Sequence, residues 1–284
     1  MSLVSLNDIL GRAEEEGYAV GAFNCNNMEI VQAIIRAAEK ERAPVIIQAS
    51  QGAIRYAGLP YIVALVREAA AGAAVPVVLH LDHGTSFEQA VQCIRHGFSS
   101  IMIDGSQHPL EKNIELTRRV VEVAHAAGVS VEGELGRIGG TEDDISVSDA
   151  EAFFTDPEEA NYFVKQTGVD ALAISIGTAH GRYKGVPKLD FPRLEQIRRA
   201  ISCPIVLHGS SGVAAEDIKK AAKLGVSKFN IDTDIREAFT GAARDYLAAN
   251  PLEIDPRNVL GPAREAATAI IREKIRLFGS SNKA

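Results

Sequence analysis

Three apolar stretches of the chain each end at a histidine that is followed by glycine. The histidines are His83, with Asp82 directly before it, in residues 77–84, His180 in residues 171–181, and His208 in residues 204–209. Apolar runs of this length are typical of buried strands, and the glycine lets the chain turn at the strand end. Because imidazole binds metal ions and transfers protons, these strand ends predict where a site would be built.

Three such histidines favour a catalytic zinc site if the fold brings them together. Three neutral nitrogen ligands with an open fourth position are typical of catalytic zinc, and imidazole suits this metal. Asp104 and Glu134 end two other predicted strands and would either orient the histidines or bind a displaced or second cation. His80 lies three residues before His83, so strand alternation predicts that at most one of the two faces the site.

A closed barrel would position these side chains. Apolar runs of strand length alternate with helix-period patterns in eight strand-then-helix units. Such units imply parallel strands with right-handed crossovers, and eight of them favour a barrel over an open doubly wound sheet. We therefore predict an α/β fold, a single (β/α)8 TIM barrel of residues 1–284 with an extra C-terminal helix over residues 262–278. The carboxyl ends of all its strands would open onto one face.

Composition argues against several classes of protein. The chain has 284 residues and a formal net charge of −7, which disfavours nucleic acid as a partner. Its three cysteines lie far apart and predict neither a disulfide framework nor a thiolate metal site. No apolar run reaches the roughly 18 residues that span a bilayer, and the first ten residues do not resemble a signal peptide. We expect a cytoplasmic protein with no membrane partner.

Two neighbouring loops are candidates for binding phosphate. Residues 209–212 (Gly-Ser-Ser-Gly) follow the seventh predicted strand, and residues 230–233 (Asn-Ile-Asp-Thr) follow the eighth. Backbone N–H groups and a helix N-terminus can hold an anion there, as in other barrels of this type. A metal beside a phosphate predicts chemistry on a phosphorylated carbonyl compound, with the cation as Lewis acid. Asp82 and Glu142 are the candidates for moving protons.

The connection over residues 136–154 is long for a compact barrel. It contains Glu142, Asp143 and Asp144, and it has two interpretations. It is either a solvated acidic loop or a lid that carries a catalytic carboxylate, and sequence alone favours the first.

Five motifs in this order resemble the class II, metal-dependent fructose-1,6-bisphosphate aldolases. They are residues 79–84 (Leu-His-Leu-Asp-His-Gly), 131–136 with 139–143, 180–184, 208–212 and 230–234. The resemblance covers essentially the whole chain and is closest to the shorter bacterial branch that also contains tagatose-1,6-bisphosphate aldolases. It implies a glycolytic enzyme, a homodimer or homotetramer, that reversibly cleaves fructose 1,6-bisphosphate to dihydroxyacetone phosphate and glyceraldehyde 3-phosphate.

The resemblance also implies the metal ligands. His83, His180 and His208 would bind catalytic Zn2+. Asp104 and Glu134 would be ligands of an alternative position or of a second divalent cation. A monovalent cation, Na+ or K+, would lie near the phosphate loops.

Further roles follow from the same resemblance. Asp82 would donate a proton to the C4 oxygen when the C3–C4 bond is cleaved, and Glu142 would exchange the proton on the dihydroxyacetone phosphate carbon. The residues implied to bind substrate are Asn24, Ser50, Gly181, Lys184, Gly209, Ser210, Ser211, Asn230, Ile231, Asp232 and Thr233. The candidates for the distal phosphate are Arg55, Arg257 and Arg264, with a contribution across a subunit interface left open.

Several alternatives stay open. Tagatose 1,6-bisphosphate differs from the fructose ester only in configuration at C4, and Asp232 favours the fructose enzymes. A metal-dependent sugar-phosphate epimerase or isomerase would share the metal and phosphate features. A Schiff-base aldolase needs a lysine at a buried strand end, and Lys228 lies too early in its strand. A sugar-phosphate-binding barrel without activity is the non-enzymatic alternative.

Overall fold

The computed structural model describes residues 3–142, 145–148, 153–183 and 185–284. Eight parallel strands close into a barrel in the order β1-β2-β3-β4-β5-β8-β10-β11, and β11 pairs with β1. These strands are Val20–Asn24 (β1), Val45–Ser50 (β2), Val77–Gly84 (β3), Ser100–Ile103 (β4), Ser130–Leu135 (β5), Ala171–Ile174 (β8), Ile205–Leu207 (β10) and Val226–Ile231 (β11). A small separate sheet, in the order β7-β6-β9, contains Gly139–Glu142 (β6), Ile145–Val147 (β7) and Ala179–His180 (β9).

Helices surround the barrel and close its lower end. They are Leu6–Glu16 (α1), Met28–Glu41 (α2), Gln51–Ala57 (α3), Leu59–Gly72 (α4), Phe87–His96 (α5), Leu110–Ala126 (α6), Pro157–Thr167 (α7), Phe191–Ala200 (α8), Ala215–Lys223 (α9), Thr233–Ala249 (α10) and Pro256–Phe278 (α11). Polar side chains start several of them: Ser5 and Asn27 accept hydrogen bonds from backbone N–H groups in the first turns of α1 and α2. In the part of the chain that the structure describes, no helix is both long and apolar enough to cross a bilayer.

The apolar core has two layers. The larger layer lies between the strands and the surrounding helices. A smaller cluster fills the inside of the barrel, where α1 places Leu6, Ile9 and Leu10 beneath side chains such as Val78 and Val206. Because the lower interior is filled with apolar side chains, the polar interior of the barrel lies at its carboxyl end, where strand-end residues meet.

The barrel and the C-terminal helix are confirmed, one additional helix is present, and two local predictions are wrong. Helix α3 follows β2 directly because Ser50 caps it, accepting from the N–H of Ala53. The predicted sixth strand is interrupted: β8 ends at Ile174, and His180 lies on β9 in the other sheet. Helix α11 begins at Pro256 rather than at residue 262, because Asp255 caps it and proline suits the first helical position.

The seam between β1 and β11 is held by α11. The ring of Phe278, at the end of α11, stacks on Phe229 of β11 with centroids 4.9 Å apart. The N–H of Ala19, just before β1, donates to the carbonyl oxygen of Phe278 at 3.0 Å. Helix α11 therefore contacts both strands that close the ring.

Glu41 anchors α11 to α2. Its buried carboxylate accepts hydrogen bonds from Arg272 at 2.8 Å and from Arg276 at 2.8 and 3.0 Å. The hydrogen bond from Arg276 is the main cause that lowers the pKa of Glu41 from 4.5 to about 2.

We expect Glu41→Gln to lower the free energy of unfolding by about 2 kcal/mol, because charge-assisted hydrogen bonds to a buried group are lost. The stabilising effect of Glu41 is complete above about pH 4.5 and disappears as the pH falls through about 2, since its pKa is lowered in the folded protein. Urea unfolding at pH 7 and pH 3 measures both effects. The control is Glu265→Gln, in a half-exposed ion pair with Arg36, which should change stability little. Equal effects of the two substitutions would contradict the anchoring role of Glu41.

Candidate active site

The three predicted histidines meet at the mouth of the barrel. His83 lies in β3, His180 in β9 and His208 directly after β10, and all three are buried. Ring centroids are 5.0 Å apart for His83 and His180, 4.7 Å for His83 and His208, and 5.8 Å for His180 and His208. One ring nitrogen of each lies within 4.8 Å of the others. The fold thus brings together three side chains from separate strands.

Hydrogen bonds on the far side of two rings determine which nitrogen faces the centre. Nδ1 of His83 lies 3.0 Å from Asp104 Oδ2, and Nε2 of His208 lies 2.9 Å from Glu132 Oε1. A carboxylate only accepts, so these ring nitrogens carry the protons. His83 Nε2 and His208 Nδ1 then present lone pairs to each other at 2.9 Å. This donor set fits a metal ion, because neutral imidazole binds metal through its unprotonated nitrogen.

Burial keeps His180 and His208 neutral. It lowers the pKa of His180 to about 3 and that of His208 well below its ordinary value, and the nearby His83 adds to both effects. A buried imidazolium would have to give up its hydration, which costs more than it gains from the carboxylates nearby. These two histidines are therefore available as metal ligands without first losing a proton.

Asp104 and Glu134 form a second group of potential ligands with His83. Both approach the same ring nitrogen: Glu134 Oε2 lies 3.9 Å from His83 Nδ1, on the side where Asp104 binds. Burial would raise the pKa of Asp104, but hydrogen bonds from His83 and Ser106 outweigh it and lower that pKa. Burial and the charge of Asp104 raise the pKa of Glu134 well above its ordinary value. In this arrangement Asp104 orients the ring of His83.

Asp82 is held by three side-chain amides. Asn24 Nδ2 donates to Oδ2 at 2.8 Å, Gln48 Nε2 donates to the same oxygen at 3.0 Å, and Asn230 Nδ2 donates to Oδ1 at 3.3 Å. Burial opposes ionisation of Asp82, but His83 and the other neighbouring donors outweigh it, and its pKa lies below the ordinary value. The surroundings of Asp82 therefore favour the carboxylate form.

His80 and His83 both point into the barrel, against strand alternation, and of the two His83 belongs to the described groups of potential metal ligands. His80 and Asp82 both point into the barrel, as alternation requires, and His80 Nε2 lies 3.6 Å from Glu132 Oε2. His83 also turns inward because its backbone is left-handed, with φ of 48°, and the register of β3 against β4 shifts at this point. Residues in this conformation are strained and concentrate at functional sites. The strain places a metal-ligand candidate directly beside Asp82.

A cavity of about 90 Å³ opens beside the histidines at the two predicted phosphate loops. Its lining residues are Asn24, Thr141, His180, Gly181, Gly209, Ser211, Asn230, Asp232, Thr233 and Arg236. Helix α10 begins at Thr233, so its N-terminus lies at the cavity, where backbone N–H groups favour an anion. Arg236 adds a guanidinium, which pairs with Asp232 at 2.8 Å. The cavity therefore suits a small anionic group next to the metal-ligand candidates.

Comparisons with known proteins agree on one family. The family model for "Fructose-bisphosphate aldolase class-II" matches residues 4–283. The chain belongs to the class II fructose-bisphosphate aldolase family. The fructose-bisphosphate aldolase of Thermus caldophilus is 47% identical over 308 residues, which cover 99% of this chain and 100% of that protein. That of Geobacillus stearothermophilus is 49% identical over 287 residues, covering 100% and 99%. The solved YdjI aldolase of Escherichia coli K12 has a TM-score of 0.88 at 34% identity and covers 99% of both chains.

Membership in the class II aldolases gives the site two general properties. This family is metal-dependent, and the buried histidine group could hold the ion. Its substrate is a phosphorylated sugar, for which the cavity at the phosphate loops offers an anion site.

In this aldolase the strand that carries His180 is packed tightly against the first phosphate loop. Gly209 has φ of 61°, and a Cβ there would collide with the carbonyl oxygen of Ala179. The hydroxyl of Tyr183 accepts from the N–H of Ala179 and donates to the carbonyl oxygen of Gly209, both at 2.8 Å. The metal-ligand candidate and the phosphate loop therefore keep a fixed separation.

The long connection after β5 contains a hairpin rather than an irregular loop. Its first strand, β6, pairs with β7 and also lies parallel to β9, with Gly140 opposite His180. Glu142 is the last residue of β6. Its side chain lies outside the described residues, as do Asp143, Asp144 and Lys184, so the lid interpretation stays a prediction.

The three candidate arginines for a distal phosphate lie in different places. Arg55 lines a second cavity, of about 540 Å³, and Arg236 lines both cavities, so the two adjoin. Arg257 is exposed and pairs with Asp255 at 2.7 Å. Arg264 donates to Gln32 at 2.8 Å. Of the three, only Arg55 is among the described residues that line either cavity.

Some predicted substrate residues also have structural partners. Ser50 caps α3, and the hydroxyl of Ser210 donates to the carbonyl oxygen of Leu207 at 3.0 Å. Ser211 accepts from the N–H groups of residues 232 and 234 at 3.3 Å. The side chain of Ile231 packs in the outer apolar core, so only its backbone could serve a ligand.

The site also contains residues to which the sequence motifs assigned no role. Gln48, Glu132 and Lys228 are fully buried polar side chains in barrel strands. Buried polar groups need partners, so this pattern alone could have singled them out. Tyr183 and Arg236 had no such pattern, because both lie outside the barrel strands.

We expect Gly209→Ala to raise the KM for a phosphorylated substrate by roughly tenfold, because a Cβ would push the phosphate loop away from β9 and strain a left-handed backbone. Steady-state kinetics and inhibition by inorganic phosphate measure the change. Gly241→Ala, in α10 with open space around it, is the matched control and should leave KM unchanged. An unaltered KM in Gly209→Ala would show that this contact does not shape the anion site.

Proposed function

We propose that the chain is a zinc-dependent aldolase that reversibly cleaves fructose 1,6-bisphosphate to dihydroxyacetone phosphate and glyceraldehyde 3-phosphate. The observation that carries the proposal is the group of three buried imidazoles beside the amide-held carboxylate of Asp82. The adjoining anion cavity supports a phosphorylated substrate. The fructose substrate is supported by the relatives, which are named fructose-bisphosphate aldolases.

Zinc is the proposed catalytic metal because three imidazole ligands with an open position are typical of it. His83 would bind through Nε2 and His208 through Nδ1, with His180 as the third ligand. When bound, the cation stabilises negative charge that develops on the carbonyl oxygen of the substrate. Asp104 and Glu134 are the proposed ligands of a second divalent cation, and the phosphate loops are the proposed place for Na+ or K+.

Proton balance reverses the direction that we expected for Asp82. Cleavage of the C3–C4 bond turns the C4 hydroxyl into an aldehyde, so the C4 oxygen must lose its proton rather than gain one. Asn24, Gln48 and Asn230 all donate to Asp82, which favours the carboxylate that can accept that proton. In condensation the same group returns the proton to the C4 oxygen.

Glu142 is the proposed carrier of the proton on the dihydroxyacetone phosphate carbon. Its support is the pairing of β6 with β9, which places the backbone of Glu142 two residues beyond the position opposite His180. A carboxylate there could reach the substrate carbon if it turns toward the cavity, where Thr141 already lies.

The two phosphates are assigned to the two adjoining cavities. The residues proposed for dihydroxyacetone phosphate are Asn24, Gly181, Lys184, Gly209, Ser210, Ser211, Asn230, Ile231, Asp232 and Thr233. Arg55 is our first choice for the distal phosphate, since it lines the neighbouring cavity, and Ser50, at the end of β2, is proposed to contact the chain between the phosphates.

The surroundings of Lys228 argue against a Schiff-base mechanism. Nζ lies 2.9 Å from Glu132 Oε2 and donates to Asn230 Oδ1 at 2.7 Å. A lysine needs a free amine to attack a carbonyl, whereas both neighbours hold this Nζ. Borohydride should therefore trap no substrate on the protein.

We also propose a homodimer or homotetramer that works in cytoplasmic glycolysis. Large apolar side chains are exposed on the connection between α10 and α11, with Leu252 at 92% and Ile254 at 93%. Apolar surface of this kind often marks a protein contact. Light scattering after size-exclusion chromatography measures the oligomeric state.

We expect His83→Ala, His180→Ala and His208→Ala to lose bound zinc and aldolase activity while the barrel stays folded. Coupled triose-phosphate assays on fructose and tagatose bisphosphates, with chelator and with added Zn2+, measure activity, and plasma emission measures zinc. His96→Ala, on the surface end of α5, is the control. Faster turnover of tagatose 1,6-bisphosphate would show that this epimer is the preferred substrate. Activity that survives chelation would contradict the metal-dependent mechanism.

We expect Asp82→Asn and Glu142→Ala to lower kcat by about 10²–10⁴-fold with zinc content unchanged, because each would remove a proton carrier. Exchange of the dihydroxyacetone phosphate proton with deuterated water separates the two roles. It should fail in Glu142→Ala and persist in Asp82→Asn. Equal losses of zinc and activity in Glu142→Ala would instead make this residue a metal ligand.

A further inference from the structure

A buried ion pair lies beneath the three histidines and takes no part in the proton transfers proposed above. Lys228 of β11 and Glu132 of β5 are both fully buried, with Nζ 2.9 Å from Oε2. Two strands, β8 and β10, separate β5 from β11 in the barrel, so the pair spans the interior. A buried ion pair of this kind contributes little net stability, because desolvation offsets its attraction.

Each partner holds one residue of the site. The other oxygen of Glu132, Oε1, accepts from His208 Nε2 at 2.9 Å. Lys228 donates to Asn230 Oδ1 at 2.7 Å, which turns the Nδ2 group of Asn230 toward Asp82 Oδ1, 3.3 Å away. His80 Nε2 is 3.6 Å from Glu132 Oε2, and its Nδ1 is 2.7 Å from the hydroxyl of Ser100.

We propose that Glu132 and Lys228 are positioning residues: one orients the metal ligand His208 and the other orients the proton carrier Asp82. This inference rests on the proposed metal site. Glu132 keeps the proton of His208 on Nε2 and thereby presents Nδ1 to the metal. Lys228 holds Glu132 in place and fixes the amide orientation of Asn230, which steadies the carboxylate of Asp82. The same ion pair thus aligns the metal ligand with the proton carrier.

The zinc affinity of the full-length protein tests whether Glu132 orients His208. Glu132→Gln keeps the side-chain volume, but Lys228 attracts the amide oxygen, so the amide N–H2 group faces His208 Nε2, which must then accept. We expect Zn2+ affinity, measured by competition with a chromophoric chelator, to fall about 10–100-fold. In ¹⁵N-histidine spectra of the metal-free protein, His208 should lose its single Nε2–H tautomer. The double variant Glu132→Gln/Lys228→Met removes the unmatched charge and should fold, and it should still bind Zn2+ more weakly than the wild-type protein, because a neutral amide is a weaker acceptor for His208 than a carboxylate.

Turnover at saturating Zn2+ tests whether Lys228 orients Asp82 through Asn230. We expect Lys228→Met to lower kcat about tenfold or more with KM little changed, because misalignment of Asp82 affects the reaction and not substrate binding. The control is Glu16→Gln/Lys283→Met, the same chemical change in a partly exposed pair with Nζ 2.7 Å from Oε2, which should alter neither zinc affinity nor kcat.

The outcomes separate this inference from the proposed function. Zinc affinity and a His208 tautomer that stay unchanged in Glu132→Gln would overturn it, as would loss of folding in both Glu132→Gln and the double variant. Failure of the wild-type protein to bind Zn2+ at the three histidines would instead contradict the proposed function.

Discussion

The three-histidine site depends on hydrogen bonds that point away from it. Asp104 and Glu132 each take the outer proton of one ring, so the inner nitrogens of His83 and His208 are left with lone pairs 2.9 Å apart. Rotation of either ring to relieve that contact would break its hydrogen bond to a buried carboxylate, and such a loss is costly. Asp104 and Glu132 therefore prepare the three-histidine site for a cation through the rings that they orient, without contacting a cation there.

The same dependence extends to the surrounding elements. Helix α10 and the loop after β10 form the anion cavity, and Tyr183 ties that loop to β9, which carries His180. Strand β6 lies on the other side of β9. A short two-residue strand thus lies between the phosphate loop and the segment that carries Glu142. The position of β9 therefore affects the metal-ligand candidate His180, the candidate phosphate loop after β10 and the proposed proton carrier Glu142 together.

The architecture could be predicted from local sequence, because each barrel strand is an apolar run and each helix has its own periodicity and cap. The bounds of α5, α8 and β11 follow directly from such patterns. The left-handed backbone that lets His83 point inward together with His80 could not be predicted, since it occurs at a non-glycine residue. Nor could the pairing of Glu132 with Lys228, which lie far apart in sequence and meet only across the closed barrel. The periodicity of a sequence predicts which face of a helix or strand is buried, whereas contacts across the barrel interior depend on how all eight strands close.

The seam between β1 and β11 has a consequence for synthesis. Strand β1 pairs with β11, which is synthesised last of the barrel strands. Until β11 leaves the ribosome, β1 and β10 are therefore two unpaired sheet edges. During that interval Glu132 has no lysine beside it, Asp82 lacks Asn230, and α11 has not yet stacked Phe278 on the seam. A chain that ends before its last strand therefore carries most of the barrel strands but lacks the groups of β11 that contact Glu132 and Asp82.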